Sequence, residues 1–146
     1  MEGKTEMSTN IRPTVSRKND YYIDKHRFYE LKHFCLQYSV WKRNYVLLSG
    51  LSRGSANEIG IFNYGLKLNS PTENCAIAKK RYLDNMELVE NACEYADRDL
   101  RSYILEAVTK GRSYTYLSTV LGIPCSRDTY YDRYRKFFWI LSKLKE

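Results

Sequence analysis

The chain lacks the long apolar runs and the short catalytic motifs that identify several large classes of protein. No apolar stretch in its 146 residues approaches the roughly 20 residues that span a bilayer, and no signal-peptide apolar segment stands near the N-terminus. We therefore expect no membrane segment and a cytoplasmic location. No GxGxxG, GxxxxGK[ST] or HExxH pattern is present, and no Ser/His/Asp ordering is recognisable. These absences favour a protein that is not an enzyme and needs no cofactor.

Cysteine and histidine are few, and their spacing does not favour a metal site. The four cysteines are Cys35, Cys75, Cys93 and Cys125, and no two of them form a CxxC pair. The two histidines, His26 and His33, complete no recognisable ligand spacing. The first three cysteines fall on predicted apolar stripes, where a thiol behaves as a small hydrophobic group. We expect reduced structural thiols and no metal, with a zinc site built from distant ligands as the alternative.

Positive charge and tyrosine are abundant. Lys and Arg number 24 against 17 Asp and Glu, which gives a net charge of +7, and 14 residues are tyrosine. The excess is uneven: residues 98–146 carry a net +5 and residues 1–45 a net +4, whereas residues 46–97 carry −2. This distribution indicates a polyanionic partner, with the C-terminal segment as the part that meets it.

The stretch from Ser113 to Leu144 has the pattern of a helix-turn-helix. A short apolar stripe is interrupted at Leu121-Gly122-Ile123-Pro124, where Gly suits a left-handed position and Pro cannot continue the helix. Ser126 then follows as the N-cap of a long second helix. The apolar side of that helix carries Tyr130, Tyr134, Phe137, Phe138 and Leu141. A short helix, a three- to four-residue turn with glycine and a longer basic helix predict a module whose second helix enters the DNA major groove.

The other side of the second helix supplies the predicted DNA contacts. The residues expected to face base edges are Arg127, Asp128, Tyr131, Asp132 and Arg135. The residues expected to contact phosphates are Arg112, Arg133 and Lys136. The alternative is an ordinary helical hairpin whose arginines form a solvated face.

The sequence before this module divides into three parts. Residues 1–20 are polar and predict a disordered arm, whose Arg12, Arg17 and Lys18 can reach a phosphate backbone. Residues 21–69 predict a helix over 22–37, a second over 39–48 and then a glycine-rich linker over 49–70 with one helical turn at 56–62. Residues 70–146 hold a long helix followed by the DNA-binding module.

The long helix starts at Ser70-Pro71-Thr72-Glu73, where Pro and an acidic residue fit a first turn. Its apolar stripe comprises Cys75, Ala78, Tyr82, Met86, Val89, Cys93 and Ala96. The stripe predicts core packing within the chain, with a homodimer formed through the Cys75–Ala96 helix as the alternative. A further helix over 97–110, ended by Gly111, supports the module from behind. The fold class predicted is all-α, a helical domain with a C-terminal three-helix helix-turn-helix module.

The C-terminal half resembles a known family in its motifs. The LGIP turn, the CSRDTYY helix start and the aromatic RKFFW segment are similar to those of phage transcriptional regulators of the ArpU/RinA type. The resemblance implies a sigma-factor-like helix-turn-helix, encoded by a phage or prophage of Gram-positive bacteria, that regulates late gene expression.

The leading hypothesis is thus a non-catalytic, sequence-specific regulator that binds double-stranded DNA, with RNA polymerase or another host nucleoprotein complex as a further partner. One alternative is a small terminase subunit, which also joins a helix-turn-helix to an oligomerisation helix. Another is a phage inhibitor of a host nucleoprotein machine, similar to an anti-CRISPR protein. Fold does not decide among them.

Overall fold

The computed structural model describes residues 17–51 and 71–146, and every regular element within them is an α-helix. The helices are α1 (Lys25–Cys35), α2 (Tyr38–Leu51), α3 (Pro71–Ala96), α4 (Arg101–Lys110), α5 (Tyr114–Thr119) and α6 (Arg127–Leu144). The all-α prediction is confirmed. The predicted helical turn at 56–62, most of the glycine-rich linker and most of the basic arm lie outside the described residues.

Two helices begin later than the sequence predicts, and a local aspartate explains each difference. The helix predicted from residue 22 begins at Lys25, because the Asp24 side chain accepts the N–H of His26 as an N-cap. The helix predicted from residue 97 begins at Arg101. Asp97 Oδ1 accepts the N–H groups of Asp99 and Leu100, and this local turn replaces the first helical turn.

The described residues form two compact units, one made of residues 17–36 together with 89–146, the other of residues 37–51 together with 71–88. In the first unit, α1 packs on α6 and α4, and α4 also contacts α5 and α6. Its core consists of fully buried side chains from these helices: Leu31, Ile104, Leu117, Tyr130, Phe137, Phe138 and Leu141. α1, which the sequence analysis assigned to the N-terminal region, is therefore part of the same unit as the C-terminal module.

Two contacts fix α1 on α6. The Phe28 and Phe138 rings meet edge to face with their centroids 5.0 Å apart. Arg27 donates from Nε to Ser142 Oγ at 3.1 Å and from Nη2 to the Ser142 carbonyl at 3.0 Å. The guanidinium thus satisfies a carbonyl in the last turn of α6, where intrahelical donors run out.

The second unit contains α2 and the first part of α3. Trp41, Leu48, Cys75, Ala78 and Met86 are buried in it. The apolar stripe predicted for the long helix is buried along its length, with Tyr82 half-buried. Since the single chain already covers this stripe, a zipper between two copies would have to expose it first.

Candidate nucleic-acid interface

α5 and α6 form the predicted helical pair, and each starts with a serine cap. Ser113 Oγ accepts the N–H of Tyr116, and Ser126 Oγ accepts the N–H of Thr129. These bonds pair backbone donors that the first turns leave free. α5 has six residues and α6 has 18, so the order of a short helix followed by a long one is as predicted.

The connection between the two helices is longer than the sequence analysis predicted. α5 ends at Thr119 and α6 begins at Arg127, so residues 120–126 separate them instead of three or four residues. Gly122 takes the left-handed conformation expected of it, with φ of 67°. The chain then returns to the core, because Ile123 is buried and donates its N–H to the Leu117 carbonyl at 2.9 Å.

A group of aromatic rings holds α6 in place behind its first turn. Tyr130 is buried, and its ring centroid lies 5.6 Å from that of Tyr114 and 5.8 Å from that of Tyr134. Tyr114 also donates from its hydroxyl to the Cys125 carbonyl at 2.8 Å, which ties α5 to the residue before the α6 cap. Burial raises the pKa of the Tyr130 and Tyr134 hydroxyls, which therefore stay protonated at neutral pH.

The eight residues predicted to bind DNA do not share one surface. Because an α-helix has about 3.6 residues per turn, Asp128, Asp132 and Lys136 follow one another along one side of α6. Arg127 and Tyr131 lie on another side, where they line a cleft that also involves α1, α4 and α5. The proposed contacts of all eight residues with DNA remain predictions.

Arg133 is held by carboxylates of its own chain. Its Nε lies 3.1 Å from Asp97 Oδ2, in the turn that follows α3, and its Nη1 lies 2.7 Å from Asp132 Oδ2. The side chain keeps 34% of its exposure. A phosphate would have to replace these partners, so Arg133 has the geometry of a residue that positions α6 on the α3–α4 turn. Asp132, predicted to face bases, is engaged in the same cluster.

Arg135 and Arg112 also differ from free surface cations. The Nε of Arg135 is buried and makes no hydrogen bond within the described residues, although the side chain as a whole is half-buried. Arg112 packs its guanidinium 4.2 Å from the centre of the Tyr116 ring, and its Nε lies 3.5 Å from Glu106 Oε2. Arg112 remains exposed and is therefore still accessible to an anion.

The first turn of α6 is exposed to solvent, as are its last two residues. Arg127, Asp128 and Thr129 are exposed, whereas residues 130–142 are buried or half-buried. The Arg127 guanidinium lies 5.3 Å from the centre of the Tyr114 ring, and Arg127 forms no ion pair with a described carboxylate. Thr129 was missing from the predicted contacts, although its position three residues after the cap was a usable signal.

One cation near this turn could not have been found from the sequence. Lys32 of α1 lines the same cleft as Arg127 and Arg112, although the three residues are far apart along the chain. Only the packing of α1 against α4 and α6 brings it there.

Three of the four cysteines are buried, and the fourth, Cys125, is half-buried. No group of three or more His, Cys, Asp or Glu side chains among them could hold a metal ion. Cys35 and Cys93 are buried, and burial raises the pKa of both thiols, so they stay protonated and unreactive. The four cysteines are free thiols. No described helix has the length and apolar character of a membrane span.

In comparisons with known proteins, no family model matches the chain, and no curated protein or solved structure is significantly similar to it.

Proposed function

We propose that this protein is a non-catalytic DNA-binding regulator whose α6 presents its first turn to the major groove of a DNA duplex. The observation that carries the proposal is the exposure of Arg127, Asp128 and Thr129 at the start of a long helix whose residues 130–142 are buried or half-buried. Recognition helices of helix-turn-helix proteins contact base edges with their N-terminal residues.

The order and packing of the helices support this assignment. α4 contacts both α5 and α6, as the supporting helix of a three-helix module does. The Ser126 cap and the buried Tyr130 fix the direction in which the first turn of α6 projects. A fixed direction matters because base readout depends on hydrogen bonds made at defined geometry.

The charge of the module supports a DNA partner as well. Arg127 and Lys136 form no ion pair with the carboxylates of the described residues, and Lys136 lies farther along the same helix. Arg127 is then available to a guanine edge, whereas Lys136 is available to a phosphate, which positions the protein without reading sequence. A regulator of the phage type that the C-terminal motifs resemble would use such a module.

The test compares two substitutions in the same helix. After selection of bound duplexes from a random library, Arg127→Ala should relax the sequence preference by about 1–3 kcal/mol at one position, because a bidentate Arg–guanine contact is lost. Lys136→Ala should weaken binding to all duplexes about equally, because a phosphate contact carries no sequence information. Binding is measured by gel shift against the selected site and a shuffled site.

Lys143→Ala provides the matched control, because it removes the same charge from the exposed last turn of α6. It should leave the preference unchanged and affect affinity less than Lys136→Ala. If neither Arg127→Ala nor Lys136→Ala changed duplex binding relative to this control, α6 would not be the recognition helix.

A further inference from the structure

A cleft on the first unit is bounded by α1, α4, α5 and α6. Its volume is about 500 Å³, within the range of small-molecule sites. The side chains that define its chemistry are Lys32, Arg112 and Arg127, together with the tyrosines Tyr29, Tyr114, Tyr131 and Tyr134. Phe28 and Phe138, which join α1 to α6, are also among its lining residues.

The cleft carries positive charge without compensation from its own walls. Three cations line it, and none of its lining residues is Asp or Glu. Lys32 and Arg127 form no ion pair with any described carboxylate, and Arg112 has only Glu106, at 3.5 Å. The three cations come from separate parts of the chain and line the same cleft. Their positive charges therefore add up within it, which favours an anionic ligand.

The aromatic rings give the cleft a preference for flat ligands. Tyr131 lies with its centroid 6.3 Å from those of Tyr114 and Tyr134, and the planes of Tyr131 and Tyr134 are nearly perpendicular. Guanidinium groups already rest on two rings nearby, Arg127 on Tyr114 and Arg112 on Tyr116. Planar rings and planar guanidiniums both stack on nucleobases. Burial raises the pKa of Tyr131 and Tyr134, so both hydroxyls remain available as donors.

We propose that this cleft binds one unpaired nucleotide, with its phosphate on Lys32, Arg112 and Arg127 and its base against Tyr131. The site requires an accessible base face, which a base stacked inside a duplex does not offer. Its volume and its convergent cations suit a single nucleoside phosphate. The proposal shares Arg127 with the proposed duplex contact, but it does not involve Lys136, which is not among the residues that line the cleft.

The experiment measures binding of the full chain to three probes by fluorescence anisotropy or calorimetry: a nucleoside monophosphate, a labelled 12-nucleotide single strand and the same sequence as a duplex. Tyr131→Leu and Lys32→Gln should each weaken binding of the single strand about tenfold, since base stacking and phosphate contact each contribute energies of that order. Lys32→Gln should not change duplex binding by more than about twofold, because Lys32 is not among the predicted duplex contacts. Lys136→Ala should show the opposite pattern.

The matched controls are Tyr95→Leu and Lys143→Gln, which make the same changes at exposed positions outside the cleft. Thermal melts of all four variants exclude loss of folding, and Tyr131→Phe should retain most of the single-strand binding because it keeps the ring. Saturable binding of the monophosphate that Lys32→Gln weakens would identify a free nucleotide as the ligand. Binding of the single strand alone would identify a nucleotide within a nucleic acid.

Two results would overturn the proposal. One is the absence of binding to both the monophosphate and the single strand at millimolar concentration. The other is an equal loss of single-strand binding in Lys143→Gln and Lys32→Gln, which would indicate diffuse attraction by net charge. Duplex binding would still be judged by Lys136→Ala, and Lys136 does not line the cleft, so either hypothesis can fail alone.

Discussion

Arg133 and Asp97 are 36 positions apart in sequence, and their side chains meet at 3.1 Å. The pair joins α6 to the turn between α3 and α4, and Asp97 uses its other oxygen to accept two backbone N–H groups of that turn. Arg133, whose position in the helical pattern predicts a solvent-facing side chain, therefore has a structural role. An arginine on a basic helix is available to contact DNA only if it does not already form an ion pair with a carboxylate of its own chain.

This pair gives a prediction that a double-mutant cycle can check. Arg133→Gln and Asp97→Asn should show a coupling of about 0.5–1 kcal/mol, reduced from the value of a buried pair because the two side chains remain 34% and 21% exposed. Urea unfolding of the four proteins of the cycle supplies the measurement. Arg98→Gln is the control: Arg98 is 84% exposed in its pair with Glu94, and its loss should cost less than about 0.5 kcal/mol. A coupling of zero would show that Arg133 is free to bind an anion.

At the scale of elements, the ends of the helices in the C-terminal module follow from local chemistry. Gly111 and Gly122 have φ of 69° and 67°, and each stands after a helix at the position where a left-handed residue is needed. The N–H groups of Gly111 and Arg112 both donate to the Ala107 carbonyl, the second at 3.1 Å, and so pair a carbonyl that the end of α4 leaves free. At the other end of each connection, Ser113 and Ser126 start α5 and α6 as side-chain caps.

Gly122→Ala should destabilise the protein by about 1–2 kcal/mol, through backbone strain alone, because an L side chain is disfavoured at positive φ. A Cβ at this position would meet no atom within 4 Å, so no steric clash adds to the cost. Gly50→Ala is the opposite control, since Gly50 lies in α2 and also has open space around it. This substitution should stabilise the protein by up to about 1 kcal/mol. Thermal or urea unfolding measures both. Equal effects of the two substitutions would contradict the role assigned to Gly122.

At the scale of the whole molecule, the net charge of +7 directs the protein toward polyanions, but ion pairs decide which cations are available. Glu94 binds Arg98 and Arg101, and Glu106 binds Lys110 and Arg112. Acidic residues of α3 and α4 thus form ion pairs with several of the cations that contribute to the positive net charge of residues 98–146. Arg127, Arg135 and Lys136 of α6 have no such partner among the described carboxylates.

This distribution predicts the salt dependence of duplex binding. If Arg127, Arg135 and Lys136 each displace about 0.9 counterions from the duplex, affinity should fall by roughly 40-fold between 50 and 200 mM salt. Lys136→Ala should lower the slope of log affinity against log salt by about 1. Anisotropy titrations at four salt concentrations measure the slope. A slope near zero would exclude phosphate contacts, and a slope unchanged by Lys136→Ala would exclude that residue.

The sequence by itself determined the all-α class, the capped start of α6, the glycine that follows each of α4 and α5, and the buried stripes of α3 and α6. Those features depend on residues within a few positions of one another, since helix periodicity and capping are local interactions. It did not determine the Arg133–Asp97 pair, the packing of α1 on α6 or the cleft that gathers Lys32, Arg112 and Arg127. These three features depend on side chains that burial of the core brings together from distant positions in the sequence. A helical pattern specifies which side of a helix is buried, but not which residues of other helices that side will contact.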